Sequence, residues 1–279
     1  MATQCRYHTL LVEALRSMSA DVLRVKSAEH MLRSGAWDPG VIRPSMIAQS
    51  CLLAAAHRYY GHAGRPNWSG APLRRGDPNA VTTLNFLRGY ALEAVVVSAL
   101  RSRPGMVPMA ISPDLVEAEL DGIRLEAHPD LVLAEAGAPA SKGLQLIQIK
   151  CPSVFAFEHN SELSDTYRAQ VEAEMTICHL AGYQVTMGHV MSVSWEGFGR
   201  GPNGIRIRCH HVAWDEEICA RTVDTIRELH QAMQAPAAIK PLPIGLANVF
   251  PCSYCQFSRE PRPEDCVPGC AQEVWEWKM

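Results

Sequence analysis

The 279-residue sequence contains no apolar run that approaches the roughly 18 residues expected of a membrane-spanning helix. Its first residues, Met1-Ala2-Thr3-Gln4-Cys5-Arg6, lack the apolar core of a signal peptide. Basic residues are not in excess either. The net charge of −3 argues against a uniformly basic surface for nucleic acid, although it allows a local basic groove. We therefore expect a cytoplasmic protein without membrane attachment.

The sequence also lacks internal repeats and long low-complexity segments, and its composition of 47% hydrophobic and 20% charged residues is that of a globular protein. A stretch rich in Ala and Pro, from Ala235 to Pro243, separates the body of the chain from a cysteine-bearing tail. We predict three regions: an N-terminal helical region at residues 1–80, an α/β core at 81–234 and a cysteine-rich metal-binding tail at 235–279.

The run Leu144–Lys150 predicts a buried strand with a polar end. At period two, one face carries Leu144, Leu146, Gln148 and Lys150, and the other face is also largely apolar. An amide and a lysine about 7 Å apart on a buried face are costly unless they meet partners or line a cleft. We therefore interpret this end of the strand as the mouth of a site.

The preceding stretch, Gly122–Leu133, predicts a strand or a bent strand pair. At period two it sets Glu126, His128 and Asp130 on one side. A loop over residues 134–143 joins it to the Leu144–Lys150 strand. We expect these two strands to pair as a hairpin, which would bring Asp130 close to Gln148 and Lys150.

Two helices carry further polar side chains. The helix predicted from Val81 to Leu100 is mainly apolar but contains Glu93, which either lies at the surface or faces a metal or a cationic partner. Gly89, one turn earlier, leaves room for a group to approach. The helix predicted from Asp165 to Leu180 places four residues on one face: Tyr167, Gln170, Glu174 and Cys178.

A carboxylate on one strand, with an amide and a lysine on its hairpin partner, suits the hydrolysis of a phosphodiester. The oxygens of Asp130 and Gln148 could hold Mg²⁺, which prefers oxygen ligands, and Glu93 would complete the metal site from its helix. Such a metal polarises the phosphoryl group and activates water, while Lys150 orients that water or neutralises developing charge.

These residues resemble the PD-(D/E)XK nuclease superfamily, in particular its RecB-like and lambda-exonuclease-like members. Asp130 followed by Gln148-x-Lys150 is similar to the D…(D/E)-x-K core. Three other motifs occur in the same order between Phe86 and Gly182. They are Arg88-Gly89-x-x-x-Glu93, Lys150-Cys151-Pro152 and Tyr167-x-x-Gln170-Val171.

The resemblance implies a restriction-endonuclease-like α/β core, with a mixed central sheet flanked by helices. It implies a Mg²⁺- or Mn²⁺-dependent deoxyribonuclease, an exonuclease acting on single-stranded DNA or DNA ends. Tyr167 and Gln170 would then position the DNA strand or the lysine. His128 is either an additional metal ligand, a partner of Asp130, or a hydrogen-bonded histidine beside a turn. The sequence departs from the family at Gln148, where Asp or Glu is usual, because an amide offers oxygen without charge.

That departure keeps a second hypothesis open, a weakened or inactive nuclease fold that serves as a DNA-binding or assembly subunit. Under either hypothesis we expect DNA as partner, together with a protein of recombination, repair or CRISPR adaptation. The candidate phosphate contacts are Arg58, Arg65, Arg74, Arg75 and Arg168.

Cysteine spacing in the tail is typical of a metal site. Cys252-x-x-Cys255 followed by Cys266 and Cys270 suits tetrahedral Zn²⁺ or an iron–sulfur cluster. The sequence is similar to AddB-type and CRISPR-associated adaptation nucleases that carry iron–sulfur clusters. That similarity implies a [4Fe–4S] cluster joining the two ends of the chain. Its ligands would be Cys51, Cys252, Cys255 and Cys266. A zinc-stabilised scaffold without a nucleic-acid role is a third, weaker hypothesis.

Overall fold

A mixed β-sheet forms the centre of the structure. The computed structural model describes residues 11, 13, 39–48, 51–60, 78–101, 107–108, 115–134, 143–195, 204–235 and 239. The strands are β1 (Val107–Pro108), β2 (Val116–Leu120), β3 (Ile123–Ala127), β4 (Leu131–Ala134), β5 (Leu144–Lys150), β6 (Val185–Trp195) and β7 (Ile205–Ala213). The sheet has the order β1-β4-β5-β6-β7, in which β1 is a two-residue strand. Strands β5 and β6 are parallel and the other neighbours are antiparallel. Strands β2 and β3 form a separate hairpin.

Helices lie on both sides of this sheet. They are α1 (Pro44–Ile47), α2 (Leu52–Tyr59), α3 (Pro78–Arg101), α4 (Val154–His159), α5 (Asp165–Leu180) and α6 (Glu216–Met233). Within the described part of the chain, no helix combines the length and the apolar character needed to cross a bilayer. The described chain is thus a mixed α/β protein with a mixed sheet flanked by helices, as predicted.

Strand β5 is apolar on both faces because each face contributes to a different part of the core. Leu144 and Leu146 belong to a cluster formed with α5, α6 and the β2–β3 hairpin. Ile147 and Ile149 belong to a second cluster that includes Val96 and other residues of α3. A central strand covered on both faces is expected to have this pattern.

The predicted hairpin between the Asp130 and Lys150 segments is confirmed, since β4 and β5 pair antiparallel with Leu131 opposite Ile147. Glu126 and His128 lie on one side, with His128 Nε2 3.9 Å from Glu126 Oε2, but the predicted face does not continue along one strand to Asp130. Strand β3 ends at Ala127 and β4 begins at Leu131, with the buried Pro129 between them. Proline has no backbone N–H to donate, so the strand pairing is interrupted there.

The segment before α1 packs against the β2–β3 hairpin. Ile42 forms an isolated parallel bridge with Leu125, and Arg43 Nη2 lies 2.5 Å from Glu126 Oε2. Cys51 directly precedes α2 and is buried in the core. The predicted boundary between residues 80 and 81 falls inside α3. The three-region division stays a prediction, because the tail at 240–279 lies outside the described residues.

Candidate active site

Asp130 lies immediately before β4 and is fixed to the neighbouring strand. Its Oδ2 accepts a hydrogen bond from the backbone N–H of Ile149 at 2.5 Å and another from Gln148 Nε2 at 3.0 Å. The antiparallel register of β4 and β5 creates both contacts, because it sets the start of β4 beside the end of β5. The hairpin thus brings the aspartate and the amide into direct contact.

Gln148 is buried, with 4% of its surface exposed. Its Nε2 is used by Asp130, whereas its Oε1 has no hydrogen-bond partner in the described structure. Leaving a buried acceptor unsatisfied costs about 1–3 kcal/mol, so such an atom in a folded protein requires an explanation. A bound ligand that coordinates Gln148 Oε1, such as a metal cation, is one explanation.

Lys150 is held by the N-terminal part of α5. Its Nζ donates to Gln170 Oε1 at 3.1 Å and lies 5.2 Å from the centroid of the Tyr167 ring. Helix α5 begins after Ser164, whose side chain caps the helix by accepting from the backbone N–H of Tyr167. The cap fixes where the helix begins, and therefore where Tyr167 and Gln170 meet the lysine.

Glu174 extends this chain of hydrogen bonds into the interior. Its Oε1 accepts from Gln170 Nε2 at 3.1 Å, while its Oε2 has no hydrogen-bond partner among the described residues. Burial raises the pKa of Glu174 to about 8, and repulsion from Asp130 and Glu93 adds to the rise, which Lys150 and the Gln170 hydrogen bond oppose. Sequence reasoning placed Glu174 on the correct helix face but gave it no role. The available signal was its position one turn after Gln170.

Glu93 and His128 lie in different surroundings. Glu93 is partly buried on α3 and contributes to the electrostatic potential at Glu174. His128 has more than half of its side chain exposed, and its Nε2 lies 3.9 Å from Glu126 Oε2. Glu93 therefore lies close enough to Glu174 to add to the rise in its pKa, and His128 lies beside the β2–β3 hairpin.

The donor atoms of the site fit a hard divalent cation. Asp130 and Glu174 are carboxylates and Gln148 offers an amide oxygen, and the buried atoms Gln148 Oε1 and Glu174 Oε2 have no hydrogen-bond partner among the described residues. Among the described residues, no group of three or more His, Cys, Asp or Glu side chains is arranged to hold a metal ion. The amide oxygen of Gln148 falls outside those residue types, and a bound cation would offset the mutual repulsion of the carboxylates.

Other predicted residues lie partly outside the described structure. Cys51 is buried, but Cys252, Cys255, Cys266 and Cys270 are outside the described residues, so no cysteine metal site is shown. Arg168 is exposed near the start of α5. The other candidate phosphate contacts fall outside the described side chains. They are Arg58, Arg65, Arg74 and Arg75.

Solved structures provide distant similarities. The structure of SSO0001 has a TM-score of 0.49 and 14% sequence identity, covering 85% of this chain and 92% of that chain. An alkaline exonuclease from Laribacter hongkongensis, LHK-Exo, has a TM-score of 0.45 and 14% identity, covering 78% and 93%. The complex of LHK-Exo with dAMP has a TM-score of 0.43 and 16% identity, covering 70% and 89%. No protein-family model matches the sequence, and neither does any curated protein.

Proposed function

We propose that this protein is a metal-dependent nuclease that hydrolyses phosphodiester bonds. The observation that supports this most is the meeting of two hydrogen-bonded units at the ends of β4 and β5. One unit joins Asp130 to Gln148, and the other joins Lys150 to Gln170. A carboxylate, an amide oxygen and an ammonium group thereby stand at one end of two neighbouring interior strands, a combination suited to phosphodiester hydrolysis.

Each side chain has a task in this proposal. Asp130, Gln148 and Glu93 are the proposed ligands of Mg²⁺ or Mn²⁺, which when bound supplies a Lewis acid for the phosphoryl oxygens and lowers the pKa of the attacking water. Lys150 neutralises charge on the phosphoryl group or orients the water. Gln170 accepts a hydrogen bond from the lysine at 3.1 Å, and the ring of Tyr167 lies 5.2 Å from the ammonium group, within the range of a cation–π interaction. We propose His128 as an additional ligand of the metal and give it no other role.

We propose DNA as the substrate, with an exonuclease action on single strands or duplex ends. The order of the four sequence motifs supports this choice. Exposed aromatic rings follow Lys150 in the chain and would suit it: Tyr167 is 38% exposed, and Phe155 of α4 is 70% exposed with one face stacked on His159. Aromatic faces of this kind stack on unpaired bases, and the exposed Arg168 could contact a phosphate.

A DNA-binding or assembly subunit without cleavage activity is the second candidate. The amide at position 148 favours it, because a neutral ligand binds a divalent cation more weakly than a carboxylate does. In that case the chain would act with a protein of recombination, repair or CRISPR adaptation.

We retain the [4Fe–4S] cluster on Cys51, Cys252, Cys255 and Cys266 as a proposal, with Zn²⁺ on the four tail cysteines as its alternative. The burial of Cys51 is compatible with a cluster ligand. Iron, sulfide and zinc analysis of anaerobically purified protein distinguishes the two. Zinc without iron or visible absorbance would remove the cluster.

A cleavage assay tests the nuclease proposal. End-labelled single-stranded and double-stranded DNA, linear and circular, is incubated with Mn²⁺ and wild type, Lys150→Ala or Asp130→Ala. We expect wild type to degrade linear DNA from its ends and both variants to lose at least about 100-fold in rate. Arg227→Ala is the control, since Arg227 pairs with Asp121 on the surface. Wild type without activity, or variants as active as the control, would contradict the proposal. Degraded circles would contradict the exonuclease assignment alone.

A further inference from the structure

Position 148 carries a neutral amide where the nucleases that the sequence resembles usually have Asp or Glu. The facing helix, α5, carries a buried carboxyl group, that of Glu174. We propose that Glu174 is a ligand of the divalent metal, and that it supplies from α5 the carboxylate that β5 lacks at Gln148. This inference rests on the metal site of the proposed function, and extends it to a residue that the sequence motifs do not include.

The packing of α5 against the sheet places Glu174 on the same side as Gln148. Gln148 and Lys150 share the face of β5 that carries Leu146, and Leu146 belongs to the core cluster that includes Val171 and Met175 of α5. Gly188, opposite Leu146 on β6, allows this approach, because a Cβ there would lie 2.3 Å from Val171 Cγ1.

Hydrogen bonds fix the register of the helix over this face. Lys150 donates to Gln170, and Gln170 donates in turn to Glu174, each at 3.1 Å. The lysine that ends β5 is therefore connected through one amide to the buried glutamate. The carboxyl group of Glu174 is held by its Oε1, and its Oε2 is left for another partner.

Burial makes the unpartnered oxygens significant. Glu174 is 1% exposed and Gln148 is 4% exposed, and each has one oxygen without a hydrogen-bond partner in the described structure. A buried carboxyl group either keeps its proton, as the raised pKa of Glu174 indicates for the metal-free protein, or ionises beside a cation or a metal that displaces the proton. These two oxygens, with Asp130 hydrogen-bonded to the same amide, form a group of oxygen donors beside Lys150.

Glu172 provides the contrast on the same helix. It is also buried, two residues earlier, and its Oε2 lies 3.1 Å from Arg221 Nη2. Helix α5 thus carries two buried glutamates, one paired with an arginine of α6 and one with an unpartnered oxygen near Asp130 and Glu93. Only the second is placed to bind a metal together with the site described above.

This assignment restores the charge of the site. Glu174 would add a second carboxylate beside Asp130, and Gln148 would supply one neutral oxygen, which are hard donors of the kind that Mg²⁺ or Mn²⁺ prefers. In this arrangement the negative charge is carried by Glu174 of α5 and not by a residue of β5. The oxygens of Asp130 and Gln148 keep their positions. The site therefore needs no acidic residue at position 148.

The test measures metal binding without DNA. Full-length protein is titrated with Mn²⁺, and free Mn²⁺ is followed by its electron paramagnetic resonance signal. We expect Glu174→Gln to weaken binding at least about tenfold. The matched control Glu172→Gln should stay within about twofold of wild type. The exchange variant, which combines Gln148→Glu with Glu174→Gln, should recover most of the affinity, because it returns one carboxylate to the site.

Each possible result either supports or overturns the proposal that Glu174 binds the metal. Glu174→Gln with wild-type affinity, or wild type that binds no Mn²⁺, overturns the proposal. If Glu174→Gln does not fold by circular dichroism, Glu174→Asp replaces it, and wild-type affinity in that variant is equally contradictory. Wild type that binds Mn²⁺ through Glu174 but leaves DNA intact refutes the nuclease proposal and retains this one. Cleavage by a protein whose metal affinity does not depend on residue 174 refutes this one alone.

Discussion

At the scale of single residues, the site is defined by pairs of polar groups that satisfy one another only in part. Gln148 uses its amide N–H on Asp130, and Gln170 bridges Lys150 to Glu174. Gln170 holds both the lysine and the glutamate, which makes it a positioning residue. The two oxygens without a hydrogen-bond partner among the described residues belong to Gln148 and Glu174. They are therefore the atoms of the site that are available to a ligand.

Glu174 should make the stability of the metal-free protein depend on pH. Its pKa is about 8 in the folded protein against 4.5 for an ordinary glutamate. Between these values the folded state holds a proton that the unfolded state has released, so the free energy of unfolding falls as pH rises, by at most about 1.4 kcal/mol per pH unit. The contribution is complete below pH 4.5 and lost above about 8.

Urea denaturation in the presence of a chelator at pH 5, 6, 7 and 8 measures this effect. The comparison is with Glu174→Gln, in which the other titrating groups are unchanged and cancel. We expect the stability of wild type relative to the variant to decline steadily over this range. A constant difference would show that the Glu174 carboxyl group titrates normally.

At the scale of elements, helix α5 brings the two halves of the site together. Residues 171–178 are all buried, between the sheet, the β2–β3 hairpin and α6. The half-exposed first turns carry Tyr167 and Gln170 beside Lys150. The distance between α5 and the sheet therefore determines where Gln170 and Glu174 stand relative to β5.

Gly188→Ala should disturb that distance. Its Cβ would lie 2.3 Å from Val171 Cγ1 and 3.1 Å from Met175 Sδ, so the helix must shift. We expect a loss of about 1–3 kcal/mol in the free energy of unfolding, by overpacking. We also expect slower DNA cleavage, because the hydrogen bonds of Gln170 move with the helix.

Gly89→Ala is the control for this substitution. Gly89 lies in α3, and a Cβ added there meets no atom within 4 Å among the described residues. Replacing a helical glycine by alanine is expected to stabilise by up to about 1 kcal/mol. Chemical denaturation of both variants decides the point, and equal effects of the two substitutions would contradict the role assigned to Gly188.

At the scale of the whole molecule, the segment before α1 is tied to the β2–β3 hairpin by a buried ion pair. Arg43 and Glu126 approach to 2.5 Å, and both are largely removed from solvent. The bridge between Ile42 and Leu125 aligns the same two segments. The hairpin in turn packs against α5, so this contact supports the helix that carries the site.

Glu126→Ala should therefore destabilise the protein by about 3–5 kcal/mol, because it removes the carboxylate from a buried guanidinium. Replacing both residues by apolar ones, Arg43→Met with Glu126→Leu, should recover much of the loss. Thermal and chemical denaturation measure the effect. A single variant as stable as wild type would show that the ion pair contributes nothing net.

The sequence by itself predicted the α/β class, the β4–β5 hairpin and the helices α3 and α5. Period two and period 3.6 are local properties of the chain, and the buried strand 144–150 carries its pattern regardless of its neighbours. The closeness of Asp130 to Gln148 also followed, because the start of the first strand and the end of the second lie side by side in an antiparallel hairpin. The sequence pattern also predicted a continuous face from Glu126 to Asp130. That face is not formed, since Pro129 interrupts the strand pairing.

Only the tertiary structure decided which helix face meets which strand. The place of Glu174 beside the site, the ion pair of Glu126 with Arg43 and the close contact at Gly188 join residues distant along the chain or on separate elements. These contacts depend on how the helices pack across the sheet, which periodicity does not encode. The sequence by itself determined that position 148 carries an amide and not an acidic side chain. Tertiary packing decided that a buried carboxyl group of α5, Glu174, lies on the same face of the sheet, where we propose that it binds the metal.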